Sequence, residues 1–440
     1  MRWCKGENTN RGATILNRNH ALHWAWVILA VCFFDLFVNY SIRLGYTLLL
    51  PEMIRTLGFS RTAGGSIYNF FLFTYISIAP IAGFLTDRFG ARWVITICSL
   101  ILGIGVFMMG TIQHLWMACL FYAVAGLGAT GMWTPVITLV QRWFAFDRRG
   151  MALGILSTGY GLGFATLGIV FPWIVHNFSW RYAWYFLGAA ALVMFVVNGI
   201  FLRSSPEISG YCPWGQGETL QSLNNGKKKS NQTISLKILF KTNRFWVIGC
   251  SYFMISYSLF GITTFMADYA KYQLGLPLEK SSLLATIHGI AQVAGVLTIL
   301  PLSDFLGRKK TIMISNGAIT VALTGILFTG NSFQMLSVFI AWLAIFYGVT
   351  FPIYGAAAGD YFPKEALGTV IGAWTPFYGL GAITSHWVTG ILRDVTGVYT
   401  YSFWINAIMA GLSFIMISRL EKRTDQAHMI GMQTEGPGHA

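Results

Sequence analysis

Carboxylates are scarce in this chain. Only 16 Asp and Glu stand against 30 Lys and Arg in 440 residues, and charged residues together make up 10%. A soluble domain of average composition carries about 25%, so this chain cannot cover a globular surface with solvated groups. Metal-ligand spacing of His, Cys, Asp and Glu is also missing, as are a GxxxxGK[ST] phosphate loop and any nucleophile motif. These absences leave a membrane enzyme without support, remove P-loop ATP hydrolysis as an energy source, and imply neither a cofactor nor a metal. The six cysteines (Cys4, Cys32, Cys98, Cys119, Cys212, Cys250) lie singly, with no CxxC pair, so no disulfide framework is expected.

Long polar segments are scarce too. Apolar residues make up 55% of the chain, gathered in runs near the roughly 20 residues that cross a bilayer core. Twelve runs are read: 24–50, 65–86, 93–112, 115–141, 150–173, 181–202, 245–271, 281–303, 311–330, 334–359, 366–391 and 400–418. In lipid such runs must be helical, because only a helix satisfies its own backbone groups. The expected fold class is an all-α membrane protein of twelve transmembrane helices in two six-helix bundles. The bundles span 1–203 and 245–423, joined by a polar, lysine-bearing linker at 204–244 and followed by a flexible tail at 424–440. The first run is too long for a signal h-region, so no cleavable leader is expected.

The basic residues are unevenly placed. Apart from Arg43, which lies inside a helix, and Arg55, Arg61, Arg181, Lys271, Lys280 and Arg393, all 30 fall on the side that holds both termini and the linker. The positive-inside rule puts that side in the cytoplasm. Dispersed over membrane-flanking loops, the net charge of +14 forms no single basic face, which argues against nucleic acid as a partner.

Two stretches repeat 218 residues apart. Trp143-Phe144, Asp147, Gly154 and Tyr160-Gly161-Leu162-Gly163 recur as Tyr361-Phe362, Glu365, Gly372 and Tyr378-Gly379-Leu380-Gly381. Within one residue of that offset, Asp87 recurs as Asp304, each heading a short basic loop. A parallel repeat of this size in an apolar chain predicts two helical bundles about a central site, the layout of a transporter. Gly83 to Arg92 (GFLTDRFGAR) and its weaker copy from Leu302 to Lys309 place an acidic residue at a helix end among arginines. Asp87, Arg88, Arg92, Asp304 and Arg308 are therefore candidates for a conformational gate, against the plainer reading of ordinary basic loops.

This loop pair resembles the signature of the major facilitator superfamily, over the whole chain. Within it, three places resemble the monocarboxylate transporter family and the bacterial oxalate:formate antiporters. They are Trp24-Ala25-Trp26, the stretch Trp143 to Gly163, and Pro206-Glu207 through Gly210, Pro213 and Gly215. The resemblance implies alternating access and a small organic anion, a carboxylate, as substrate. It also implies a functional cation in the first helix, aligned with Leu44 beside Arg43. This chain departs from the family in the eighth helix, where Gln292 and Val296 replace an Asp/Arg pair.

Ionisable groups at membrane depth are costly and point to a site. Asp35, Asn39 and Arg43 follow at spacings of four, continued by Tyr46, and are read as one polar stripe lining the cavity. Arg43 is the expected carboxylate ligand, since a guanidinium grips a carboxylate with two parallel hydrogen bonds. Snorkelling, or pairing with Asp35, is the plainer alternative. Asp35 and His288 are candidates for proton coupling, with a structural contact the alternative for each. Gln292, His386, Tyr160 and Tyr378 complete the candidate substrate site; Tyr68, Trp133 and Trp374 are also read near the cavity positions, with the core reading favoured for Tyr68 and Trp133. The second half offers only His288, Gln292 and His386 as buried polar chemistry.

The expected function is secondary transport of a mono- or dicarboxylate across the cell membrane, driven by a proton gradient or a counter-anion, by a multi-pass monomer in the lipid bilayer. Proton-coupled efflux of an amphipathic or cationic compound is the runner-up. A receptor derived from a transporter is disfavoured, since its usual mark is an added soluble domain and neither the linker nor the tail past 423 is long enough to fold as one.

Overall fold

A computed structural model describes residues 23–145, 148–215, 242–362 and 367–420. Most of the linker, the tail, Asp147 and Glu365 lie outside the described residues. The helices run in chain order as α1 Trp24–Leu57, α2 Arg61–Phe89, α3 Ala91–Met109, α4 Leu115–Ala129, α5 Thr134–Trp143, α6 Arg149–Asn177 and α7 Trp180–Phe201. They continue as α8 Asn243–Thr263, α9 Leu278–Leu306, α10 Arg308–Leu327, α11 Phe333–Tyr361, α12 Leu367–Thr396 and α13 Thr400–Ser418. Among the described residues, eleven spans are long and apolar enough to cross a membrane, with α4 and α5 counted as one.

Two runs are less regular than expected. The run 115–141 breaks at a 3-10 turn, Thr130–Met132, before α5 restarts with Pro135 in its first turn. A proline there gives up no helical hydrogen bond, so it opens a helix rather than kinking one. The run 245–271 likewise ends at Thr263 and continues as a short turn, Met266–Asp268, and a π turn, Tyr269–Gln273.

Contacts gather the chain into two units, Met1–Phe59 with Ser66–Lys228, and Ser60–Gly65 with Lys229–Ala440. The first turn of α2 therefore counts with the second unit. Inside each unit the packing partners repeat. In the first, α1 packs on α6 and α7, and α3 on α4 and α7. In the second, α8 packs on α12 and α13, and α10 on α11 and α13. The close crossings repeat as well. A Cβ on Gly163 of α6 would stand 2.4 Å from the Phe37 carbonyl of α1, and one on Gly381 of α12 would stand 2.3 Å from the Phe253 carbonyl of α8. Only a residue without a side chain lets these backbones meet. The two basic loops also turn alike, on Gly90 (φ 87°) and Gly307 (φ 84°), in the region glycine adopts without penalty.

The three stretches that carry the monocarboxylate-transporter resemblance converge in the first unit. Trp26, Phe144 and Trp214 form a triangle of rings with centroids 5.1–5.7 Å apart. Main-chain bonds from Trp214 N–H to the Trp143 carbonyl (2.9 Å) and from Ala145 N–H to the Trp214 carbonyl (3.0 Å) tie the segment after α7 to the end of α5.

Candidate functional site

The first unit holds a cation among aromatic rings. Arg43, half-buried on α1, lies with its guanidinium carbon 5.7 Å from the Tyr40 ring centroid and 5.5 Å from that of Tyr75 on α2. The ring of Tyr40 continues to Tyr160 on α6 (5.0 Å) and to Trp133 (6.2 Å), and those two stand 6.3 Å apart. Aromatic faces attract a guanidinium through their quadrupole and hold it without neutralising it.

The polar stripe expected on α1 divides. At 3.6 residues per turn, each step of four rotates about 40°. Tyr46 thus falls nearly in line with Asp35, while Arg43 lies about 80° away. Asp35 and Tyr46 accordingly point into the bundle. Asp35 (2% exposed) accepts a 2.8 Å hydrogen bond from the Asn198 amide of α7, which also donates 2.8 Å to Ser99 Oγ of α3. The second Asp35 oxygen has no partner among the described residues. Tyr46 is fully buried, stacked on Tyr68 (5.2 Å) and Tyr122 (5.0 Å). Asn39 is buried between them in sequence, and its Oδ1 accepts no bond among the described residues. The four residues therefore do not share one face: Asp35, Asn39 and Tyr46 are buried, and Arg43 stands apart, half-buried.

In the second unit, Tyr378 of α12 packs 4.7 Å from Tyr252 of α8 and 5.9 Å from Phe351 of α11. Phe351 and Tyr378 stand at the repeat offset from Trp133 and Tyr160, so both units carry the same aromatic pair. His288 and Gln292 share a face of α9 directed at α11. His288 is edge-on to Tyr347 (5.2 Å), and a Cβ on Gly348 would meet the Gln292 carbonyl at 2.7 Å. His386 is buried, its Nε2 2.8 Å from Thr264 Oγ1. These three candidates sit in helix-to-helix contacts, His288 and Gln292 against α11 and His386 beside Phe260 of α8.

The loop residues also depart from expectation in their partners. Asp87 pairs at 3.8 Å with Arg142 of α5, both exposed, not with Arg88 or Arg92. Arg88 lies over the Phe89 ring, and Arg92 turns to the Gly199 carbonyl and the Trp93 ring. In the second copy, Asp304 pairs with Arg308 of the next helix, which also donates to Ser303. Exposed pairs of this kind contribute about 0–1 kcal/mol.

Asp268 and Asp394 escaped the sequence reading. Asp268, fully buried, accepts from the Tyr399 hydroxyl (2.6 Å) and from Arg61 Nε (3.3 Å). Its presence in the run 245–271 was the signal, so the second half's buried chemistry is wider than His288, Gln292 and His386. Asp394, near the end of α12, accepts from the N–H groups of Arg61 (2.9 Å) and Thr62 (2.8 Å) and from the Thr62 hydroxyl (2.6 Å). It caps α2 from 332 residues away, beyond the reach of any local capping pattern.

Comparison with known proteins agrees with this architecture. Residues 27–282 and 248–429 match the family model described as Major Facilitator Superfamily. The chain is 24% identical over 400 residues to the probable sulfoacetate transporter SauU of Cupriavidus necator, covering 88% of this chain and 91% of the relative. It is 23% identical to the hexuronate transporter of Bacillus subtilis, covering 87% and 92%. To monocarboxylate transporter 12 of Xenopus laevis it is 22% identical, covering 90% and 88%. In fold it is similar to the nucleoside transporter NupG, with TM-score 0.72 at 14% identity over 92% of this chain and 100% of that one.

Proposed function

The chain belongs to the major facilitator superfamily, and on that premise we propose that it moves a small organic anion, a mono- or dicarboxylate, by alternating access. It is a transporter, not an enzyme, and a multi-pass protein of the cell membrane. We place twelve crossings in it, adding Leu367–Thr396, the eleventh in chain order, to the eleven spans, with both termini and the linker 204–244 cytoplasmic, on the strength of the basic loops. A proton gradient or a counter-anion drives it, with Asp35 or His288 as the proton carrier. Asp87, Arg88, Arg92, Asp304 and Arg308 serve the gate, and Asn39, Tyr46, Tyr160, His288, Gln292, Tyr378 and His386 support the site.

One observation carries the reading: Arg43, a permanent cation on the first helix, half-buried beside Tyr40 and Tyr75. A guanidinium is charged at every accessible pH and matches a carboxylate in two parallel bonds. Efflux of a cation through Asp35 is the weaker reading, because that carboxyl is enclosed by α3 and α7 and bonded to Asn198.

The test is uptake of labelled mono- and dicarboxylates into proteoliposomes, with and without a pH gradient. Arg43→Gln is expected to cut carboxylate uptake by about tenfold or more, with Arg43→Lys intermediate because it keeps the charge and loses the fork. Undiminished uptake by Arg43→Gln would refute the assignment.

A further inference from the structure

The last turn of α7, in the first unit, is closed by side chains from three segments. The final carbonyls of a helix have no partner inside it. Here Gly199 accepts from Arg92 of α3 (2.5 Å), and Phe201 accepts from the indole N–H of Trp24 at the start of α1 (3.3 Å). Ile200 and Leu202 accept from Arg203 (2.8 and 3.0 Å). Two guanidiniums thus meet one helix end, on consecutive carbonyls. That of Arg92 lies over the Trp93 ring (5.2 Å) and that of Arg203 over the Trp24 ring (5.9 Å).

Capping alone needs less than this. At the matching end of α13, Lys309 of α10 donates to the Ser418 (2.9 Å) and Leu420 (2.6 Å) carbonyls, while Arg419, in the place of Arg203, is exposed. One cation closes that end. The charge on α7 is also unbalanced, because a helix C-terminus carries the equivalent of only about half a negative charge. Among the described residues neither Arg92 nor Arg203 pairs with a carboxylate; Asp87 pairs with Arg142, and Glu207 is exposed. Donors are left over as well. A guanidinium has several N–H groups in a fixed fork, and the carbonyls engage one nitrogen of each. Arg92 Nε is buried with no acceptor among the described residues.

The place of this cluster says what kind of anion it suits. Helices α3 and α7 pack along each other, and both are long and apolar enough to cross a membrane. Arg92 and Arg203 stand at the ends of these spans, at the depth of lipid headgroups. Along the same two helices Trp93, Ile97, Val196 and Ile200 are 53–56% exposed, a surface that suits acyl chains and offers nothing to a soluble ion. We infer that this end of the α3–α7 pair binds an anionic phospholipid, with Arg92 and Arg203 on its phosphodiester and the exposed apolar side chains along its tails. Basic pockets between membrane helices bind acidic headgroups, and each arginine near an anionic surface is worth about fivefold in affinity. The inference goes beyond the organic-anion reading and does not depend on it.

The test is native mass spectrometry of the full-length protein, freed of lipid in detergent and titrated with phosphatidylglycerol, phosphatidylcholine or glycerol 3-phosphate. The parent is expected to bind its first phosphatidylglycerol about tenfold or more tighter than either of the other two. Arg203→Gln should lose about fivefold on phosphatidylglycerol, and Arg92→Gln combined with it about twentyfold, with phosphatidylcholine unchanged within about twofold. Both arginines also cap α7, so Ser204→Asp is measured beside them. It sets a carboxylate next to Arg203, removes neither cap, and should also lose about fivefold. Arg148→Gln removes an exposed cation from the same end of the unit and should lose less than about twofold. Equal binding of phosphatidylglycerol and phosphatidylcholine by the parent overturns the inference, as does a Ser204→Asp protein that binds phosphatidylglycerol like the parent. A loss in Arg148→Gln as large as in Arg203→Gln would replace the site with a diffuse basic surface. Glycerol 3-phosphate bound as tightly as phosphatidylglycerol would replace it with a site for a soluble anion.

Discussion

Asp35 and Ser251 occupy corresponding places in the two units but carry different chemistry. Asp35, Ser99 and Asn198 join α1, α3 and α7; Ser251, Asn316 and Ser413 join α8, α10 and α13 at the repeat offset within three residues. The second cluster is neutral and closes on itself, with Ser251 and Ser413 hydroxyls 2.7 Å apart and the Asn316 amide 2.8 Å from Ser413. A neutral set is enough to tie three helices, so the carboxyl at Asp35 exceeds what packing needs. Its two roles separate by experiment. Asn198→Ala leaves a buried carboxyl without its amide donor and should cost about 1–3 kcal/mol, read as a lower unfolding temperature in detergent. Asp35→Asn should unfold normally, because an amide replaces the carboxyl in the same bond. If Asp35 carries the coupling proton, that variant continues to exchange substrate across the membrane but no longer accumulates it under a pH gradient. Accumulation equal to the parent's would leave His288 as the remaining candidate.

At the scale of helices, glycines that look alike in sequence divide into two kinds. Gly163 and Gly381 bring α6 against α1 and α12 against α8 so closely that a methyl group would strike a backbone carbonyl. Gly154 and Gly372, nine residues earlier in each copy, face open space. Gly163→Ala is therefore expected to destabilise the protein by about 1–3 kcal/mol through overpacking. Gly154→Ala should be neutral or stabilising by up to about 1 kcal/mol through helix propensity. Thermal unfolding of the two variants side by side checks the contrast, and equal effects would contradict the packing described. Sequence marked all four as small residues on two helices. It could not sort them, because which face of α6 meets α1 depends on a crossing, not on a spacing.

For the molecule as a whole, α2 begins on residues of the second unit. Its first turn is capped by Asp394, and Arg61 reaches the buried Asp268. Asp394 accepts from the first two N–H groups of the helix, beside the local cap in which Ser60 Oγ accepts from the Ala63 N–H at 3.0 Å. Asp394→Ala should cost about 1 kcal/mol, as loss of a helix cap does, and should raise the reactivity of a cysteine placed at Thr62. Unchanged reactivity would show the turn to be held by other contacts.

Much of this was legible in the chain before folding. Hydropathy required helices, because lipid offers no other partner for backbone groups. The 218-residue repeat required two like units, and their packing partners repeat as the sequence does. Arg43 stands out as a candidate because a charge at membrane depth is conspicuous against apolar neighbours. What the sequence left undetermined were directions and partners. A rotation of about 80° on α1 separates Arg43 from Asp35, and only the bundle decides which of them faces inward. Asp394 and α2, or Trp26, Phe144 and Trp214, are joined by contacts between residues far apart in the chain. Local spacing records which side chains share a helix face; it holds nothing about which distant helix arrives to meet them.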